Sequence, residues 1–328
     1  MQRRQFIALI GSAATWPLAA RAQQDQRVRR IGVLSALAED DPESVARRPA
    51  FEQALKVLNW TNGNNLRIDY RWAAGGMPSD TRKLAAEIIA LEPDVILLSG
   101  TSVVAPVIQA TRTIPIVFVQ VIDPVGSGFV KSLARPGGNI TGFTPFEYSL
   151  AGKWVELLKQ IAPYVTRAAV IRDPTRGYGI GQFAVVQAVA PSLGMELSPI
   201  NAPDVSEIES AIAEFARSPN GGLVVTLGGT AIHREQIIAL AAKHRLPAVY
   251  PFRYFVSGGG LISYGADTID QYRRAADYID RIFKGEKPAN LPVQTPTKYN
   301  LAINLKTAKS LGLAVPHAML TRADEVIE

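Results

Sequence analysis

The sequence predicts an α/β molecule: two doubly wound parallel-sheet lobes joined by a hinge that the chain crosses several times. Three observations carry that expectation. Apolar runs of strand length alternate with helix-length segments along nearly the whole chain. Runs such as "DVILL" and "IVFVQV" are solidly apolar, as strands covered on both faces are. The same order of runs also occurs twice, at offsets of 121 to 138 residues.

The elements follow in order. "RRIGVLSA" is the first strand by its apolar run, and a helix over Ser44–Leu58 comes next. "NLRIDYRWA" alternates like a strand and leads to a helix over Thr81–Leu91. "PDVILLSGT" is the third strand, with a helix over Val103–Thr111, and "IPIVFVQVIDP" and "GGNITGFTP" complete the first half. The second half repeats the plan. "RAAVIRDP", "GMELSPINAP", "GGLVVTLGGT", "LPAVYPFRYF" and "GGGLISYGAD" are its strands, with helices over Val205–Arg217 and Ile232–His244. A helix over Tyr272–Phe283 follows. The Pro-rich stretch "KGEKPANLPVQTPTKYNLAIN" then makes a crossing and a strand, a helix covers Leu305–Leu311, and a short capping tail lies beyond Pro316.

No low-complexity linker separates the halves. The expected crossings lie near Phe143–Tyr148, Tyr264–Asp267 and Leu291–Gln294, which assigns 28–144 plus 266–292 to lobe 1 and 145–265 plus 293–328 to lobe 2. Sheets of this kind bind ligands beyond the carboxyl ends of their strands. In two facing lobes those ends can share one cleft.

Composition bounds the function classes. With 328 residues, 47% hydrophobic and 20% charged, the chain is long enough for two ordinary domains. "MQRRQFIALIGSAATWPLAARAQQ" has a charged start, a short apolar middle and an Ala-Arg-Ala site, the layout of a secretory signal. Arg3 and Arg4 with Phe6 also suit twin-arginine export. The apolar middle, broken by Gly11 and Pro17, is short of the ~20 residues a bilayer requires. Cleavage after Ala22 removes Arg3, Arg4 and Arg21 and lowers the formal charge from +6 to +3, too mild to argue for nucleic acid. The chain has no cysteine, so it has neither disulfides nor thiolate metal sites.

The chemistry-bearing positions cluster after the strands. In "LLSGTSVV", Ser99, Gly100, Thr101 and Ser102 turn a strand into a helix, leaving backbone N–H groups beside hydroxyls. There is no Walker lysine and no three-glycine dinucleotide fingerprint, so the turn suits a carboxylate or another small anion, or else Thr101 merely caps its helix. Gly228, Gly229 and Thr230 repeat the turn in the second half. Asp123 in "VIDPVGSG" could accept from a ligand ammonium, or form an Asx-Pro turn. Asp173 occupies the matching edge in lobe 2. Tyr178 sits on a glycine-flanked loop, where its ring could lie on a ligand or stand in solvent. Tyr250 and Tyr264 follow later strands, with core packing as the other reading.

Catalysis finds little support. His233, His244 and His317 lack metal-ligand spacing, there is no G-x-S-x-G, and no nucleophile has a visible base. An exported α/β enzyme acting on a small acid is the rival reading.

The motifs "DPVGSGFVKSLARPGGNITGF", "GGGLISYGAD", "AADYIDRIFKGEKPANLPVQTPTKYNLAINLKTAKSLGL" and "RADEVIE" resemble the bacterial ABC-transporter substrate-binding proteins of the tryptophan-transporter-like branch. The resemblance covers essentially the whole chain and implies the type I periplasmic binding fold. It also implies closure of two lobes over a small organic acid or amino acid in the periplasm, and delivery to an inner-membrane ABC permease. A partner sensor is the alternative to the permease. No cofactor, metal or catalysis is implied, and a monomer is expected. By position, the resemblance places Ser35, Ser99, Thr101, Ser102, Asp123, Thr144, Asp173, Tyr178, Thr230, Tyr250 and Tyr264 at the cleft.

Overall fold

A computed structural model of the chain describes residues 27–75, 78–175, 177–201 and 205–328. The signal-like residues 1–22 lie outside the described residues.

The first sheet has five parallel strands, β1 (Arg29–Ser35), β2 (Leu66–Trp72), β3 (Val95–Ser99), β4 (Ile116–Val119) and β5 (Ile140–Gly142), in the order β2-β1-β3-β4-β5. The second sheet contains β6 (Arg167–Arg172), β7 (Glu196–Asn201), β8 (Gly221–Val225), β9 (Ala248–Tyr250) and β10 (Ile262–Ala266), and its order β7-β6-β8-β9-β10 repeats the first. Two further strands, β11 (Tyr299–Asn304) and β12 (Glu325–Ile327), extend it beyond β10. Strand order 2-1-3-4-5 twice over is the doubly wound arrangement, with a switch point between the first and third strand of each lobe.

Helices cover both faces. In lobe 1 these are α1 (Pro42–Val57), α2 (Pro78–Ala90) and α3 (Val104–Ala110), the last preceded by a single tight turn at Thr101–Val103. Lobe 2 carries α4 (Ser149–Ile161), α5 (Gly177–Val189), α6 (Val205–Phe215), α7 (Arg234–Lys243) and the short α8 (Arg253–Ser257). The chain then crosses back, and α9 (Thr268–Phe283) packs on the first sheet, burying Tyr272, Ala275, Ala276 and Ile279 beside Val33, Phe51 and Leu97. Asp267 starts α9 by accepting from the N–H groups of Ile269 and Asp270, four residues earlier than the Tyr272 start that periodicity suggests. The chain ends with α10 (Leu305–Ser310) and α11 (His317–Arg322).

The interior is apolar, forming one cluster in lobe 2 and two in lobe 1, one on each face of its sheet. Val95, Ile96, Leu97 and Leu98 of β3 are fully buried, as are Val224 and Val225 of β8, which is why these runs carry no polar alternation. Trp154 on α4 is fully buried and donates its indole N–H to the Tyr264 carbonyl at 2.7 Å.

Three further features differ from the sequence reading. Tyr178 belongs to the first turn of α5 and not to a loop. The tail beyond Pro316 contributes α11 and the edge strand β12, which pairs in parallel with β11. One strand, β11, runs antiparallel to β10, pairing Ala266 with Tyr299. The chain leaves β10 at the cleft, builds α9 on the other lobe and returns at the cleft side, so β11 must run the opposite way.

Three crossings join the lobes. Phe143 bridges Gln294, the Thr144 N–H donates to the Gln294 carbonyl at 3.0 Å, and the Asp267 N–H donates to the Lys298 carbonyl at 3.2 Å.

Candidate functional site

The carboxyl ends of the two sheets face one cavity of about 470 Å³. That is within the 300–1,000 Å³ range of small-molecule sites. Its lobe 1 wall is built at the β1/β3 switch point, from Ala36 and Leu37 after β1 and Ser99–Ser102 after β3, with Arg82, Gln109 and Gln120 beside them. Its lobe 2 wall is built at the β6/β8 switch point, from Asp173 after β6 and Leu227, Gly228 and Thr230 after β8, with Tyr178, Phe252, Tyr254 and Phe255.

The two turns expected to be twins do meet across this space, but their hydroxyls are wired differently. Thr101 Oγ1 accepts from the Ile122 N–H at 3.0 Å, so its own hydrogen remains a donor. Thr230 Oγ1 donates to the Thr226 carbonyl at 2.7 Å, so its lone pairs remain acceptors. Gly100 takes φ +100°, and a Cβ there would sit 2.8 Å from the Ala36 side chain. Gly228 takes φ +136°, with the Tyr178 ring 3.2 Å from where a Cβ would be. The turn therefore stays bare enough for Tyr178 to lie against it.

Arg47 on α1 is part of the lobe 1 wall. Its side chain is 6% exposed and its Nη2 donates to Glu43 at 2.8 Å. Its guanidinium lies over Tyr272 of lobe 1 at 5.8 Å and over Tyr254 of lobe 2 at 6.0 Å. Burial works against its charge, yet Tyr272, Glu43, Tyr254 and Asp41 together hold its pKa above the usual value. Tyr272 in turn donates its hydroxyl to Ser99 Oγ.

The lobes also touch at the rim. Arg234 Nη1 of α7 donates to Asp41 Oδ2 at 2.8 Å, with the two side chains 14% and 10% exposed. Asp41 Oδ1 meanwhile accepts from the Glu43 N–H and starts α1, so the carboxylate is already oriented for the arginine. On the hinge side, the Tyr148 hydroxyl donates to Asp123 Oδ2 at 2.8 Å. Partial burial, then the Asp123 carboxylate, push that hydroxyl up to about 12, so it remains a donor at neutral pH.

Of the positions expected at the cleft, Ser99, Gly100, Thr101, Ser102, Asp173, Tyr178 and Thr230 line the cavity. Six others do not. Ser35 is buried under the floor, where its Oγ accepts from the Leu37 N–H. Asp123 closes an Asx turn by accepting from the Gly126 N–H at 2.9 Å, besides holding Tyr148. Thr144 belongs to the first crossing, bonded through its backbone to Gln294 and Gln271. Gly229 lies between two lining residues in its turn. Tyr250 is 1% exposed and stacked on Phe255, with ring centroids 5.0 Å apart. Tyr264 stacks on Tyr299 at 5.8 Å. Arg47, Gln120, Phe252, Tyr254 and Phe255 line the cavity without having been singled out in the sequence.

Among the described residues, no group of three or more His, Cys, Asp and Glu side chains is arranged to hold a metal ion. No helix among them is long and apolar enough to cross a membrane.

Comparison with known proteins places the fold. The chain is 26% identical over 288 residues to a tyrosine-binding protein of Clostridioides difficile, covering 88% of this chain and 82% of that one. It superposes on a conserved domain protein from Vibrio cholerae at 29% identity, covering 92% of this chain and all of that one with a TM-score of 0.83. A Streptococcus pneumoniae ABC domain in complex with L-Trp gives the same TM-score, 0.83, at 24% identity over 91% of this chain and 99% of that one. The family model described as ABC transporter substrate binding protein matches residues 30–327. The chain belongs to the ABC transporter substrate-binding protein family.

Proposed function

We propose that the protein captures a small amino acid or organic acid, with an aromatic side chain favoured, by closing its two lobes over the 470 Å³ cavity. One observation carries the reading: the cavity is polarised. Donors line the lobe 1 wall, where the Thr101 hydroxyl and Ser102 of the turn share the cavity with Arg82 of α2. Acceptors line lobe 2, where Asp173, whose Oδ1 also accepts from the Thr175 N–H and hydroxyl, and the Thr230 oxygen share the wall with the rings of Tyr178, Phe252 and Tyr254. A ligand with an acid at one end, an ammonium toward the other and a flat apolar body suits that division. The tyrosine-binding relative and the L-Trp-bound neighbour support the same class.

Closure follows from the contacts. The Asp41–Arg234 pair and the Arg47–Tyr254 stack join different lobes, so both exist only when the lobes are together. A ligand touching both walls adds its own contacts to that arrangement alone and shifts the hinge equilibrium toward it. Micromolar capture requires about 8 kcal/mol, which a few charge-assisted hydrogen bonds at ~1.5–3 kcal/mol each and one stacked ring can supply. Removal of a signal after Ala22, residence in the periplasm as a monomer, and delivery to an inner-membrane ABC permease complete the proposal.

A thermal-shift panel of the chain from Gln23 onward tests it. L-Tyrosine or L-tryptophan at a hundred times its dissociation constant is expected to raise Tm by about 4 °C or more. A panel of amino acids and aromatic acids in which no member stabilises the protein would refute it.

A further inference from the structure

Gln271 stands where the cavity wall and all three crossings meet. It lies in the first turn of α9, immediately after the second crossing, and is 2% exposed. Its Oε1 accepts from the Gln120 N–H at 3.1 Å and from Gln120 Nε2 at 2.8 Å. Its Nε2 donates to the Thr144 carbonyl of the first crossing at 3.0 Å. Thr144 in turn donates its N–H to the Gln294 carbonyl of the third crossing, also at 3.0 Å. A backbone donor at one end and a backbone acceptor at the other leave only one orientation for the amide.

The cavity side of this junction is itself unusual. Gln120 follows β4 with φ +58°, a left-handed conformation that a glutamine adopts only when its surroundings hold it. Gln271 holds it twice, through backbone and side chain. Gln120 lines the cavity. A ligand that moves or fixes Gln120 therefore pulls on an amide whose other end is bonded to the hinge.

We infer that Gln271 is the positioning residue that couples occupancy of the cavity at Gln120 to the angle of the hinge. It touches no ligand. It acts by transmitting the placement of the cavity wall to Thr144, and through Thr144 to Gln294. The inference rests on the capture reading above, because it presumes that the lobes close on a small acid.

Such a junction requires a group that accepts at one end and donates at the other, separated by the length of a glutamine. Gln271→Glu keeps the size and the acceptor for Gln120 but sets an oxygen against the Thr144 carbonyl. Gln271→Met keeps the bulk and removes both functions. Gln120→Ala removes the side-chain bond of the junction from the cavity side, keeps the backbone one and leaves the crossings intact.

The test uses paired spin labels. The chain has no native cysteine, so Val57→Cys in lobe 1 and Tyr164→Cys in lobe 2, exposed by 72% and 48%, report the interlobe distance alone. L-Tyrosine and L-tryptophan are the probes. In the otherwise unaltered protein, a saturating probe is expected to narrow the distance distribution to one closed population. Gln271→Met and Gln271→Glu are expected to bind about tenfold more weakly, the size of one or two lost hydrogen bonds, and to stay distributed between open and closed at saturation. Gln120→Ala is expected to broaden the distribution in the same way but less, and adding Gln271→Met to it to cost less than Gln271→Met costs alone. A merely structural role would lower Tm and leave the distances alone. Full closure at unchanged affinity in the Gln271 variants, or in Gln120→Ala where those do not fold, overturns the inference and leaves capture standing. No closure by either probe in the unaltered protein overturns both.

Discussion

At the residue scale, the site rests on charges and hydroxyls committed before any ligand arrives. Arg47 is the clearest case, a guanidinium buried against Glu43 and between the rings of Tyr272 and Tyr254. Breaking a buried pair from one side leaves its partner charge uncompensated. Arg47→Met is expected to lower unfolding stability by about 3 kcal/mol in urea titrations, and the double variant with Glu43→Gln to recover part of the loss. A loss within about 0.5 kcal/mol, the range of ordinary surface changes, would show that Glu43 is satisfied without the arginine. In sequence, Arg47 stands beside a second arginine, Arg48, which is exposed. A signal was present: Arg47, Phe51 and Leu55 are four apart, and all three are buried on one face of α1. Tyr254 and Gln120 gave no such signal, since their place depends on which lobe faces which. The hydroxyl-and-glycine turns were legible because Ser99–Ser102 and Gly228–Thr230 obey a local rule, strand end followed by helix start.

At the scale of elements, solid apolar runs mark the strands, whereas glycine hides the start of a helix. "RGYGIG" resembles a loop, yet Gly179 and Gly181 stand in the first turns of α5. A Cβ on Gly179 would lie 2.0 Å from the Asp173 carbonyl oxygen, and one on Gly181 would lie 2.4 Å from the Tyr148 ring. These glycines permit close packing rather than flexibility. The last strand of each repeat obeys the same constraint. Gly142 in β5 and Gly265 in β10 would put a Cβ 2.1 Å from the Phe118 oxygen and 1.8 Å from the Pro251 oxygen. That shared need explains why "NITGF" and "ISYGA" match in the two halves. Gly265→Ala is expected to cost more than about 2 kcal/mol, because backbone must shift to admit the methyl group. A Tm within a degree of the parent would contradict this account of the strand.

At the scale of the whole molecule, the duplicated strand order was legible because it shows as a repeated sequence of runs. What the sequence hid was everything created by one lobe meeting the other. The reversed β11, the Asp41–Arg234 rim pair and the Gln271 junction join residues 127 or more positions apart, or depend on the path of the return crossing. The same scale holds the central claim, that a polarised cleft closes on a molecule carrying an acid at one end and an ammonium toward the other. Calorimetric titration of L-tyrosine, beside tyramine and 3-(4-hydroxyphenyl)propionic acid, tests it most directly. The account predicts saturable binding of the amino acid with a negative heat-capacity change, and at least tenfold weaker binding when either charged group is missing. Equal affinity for all three, or no binding by any, would contradict it.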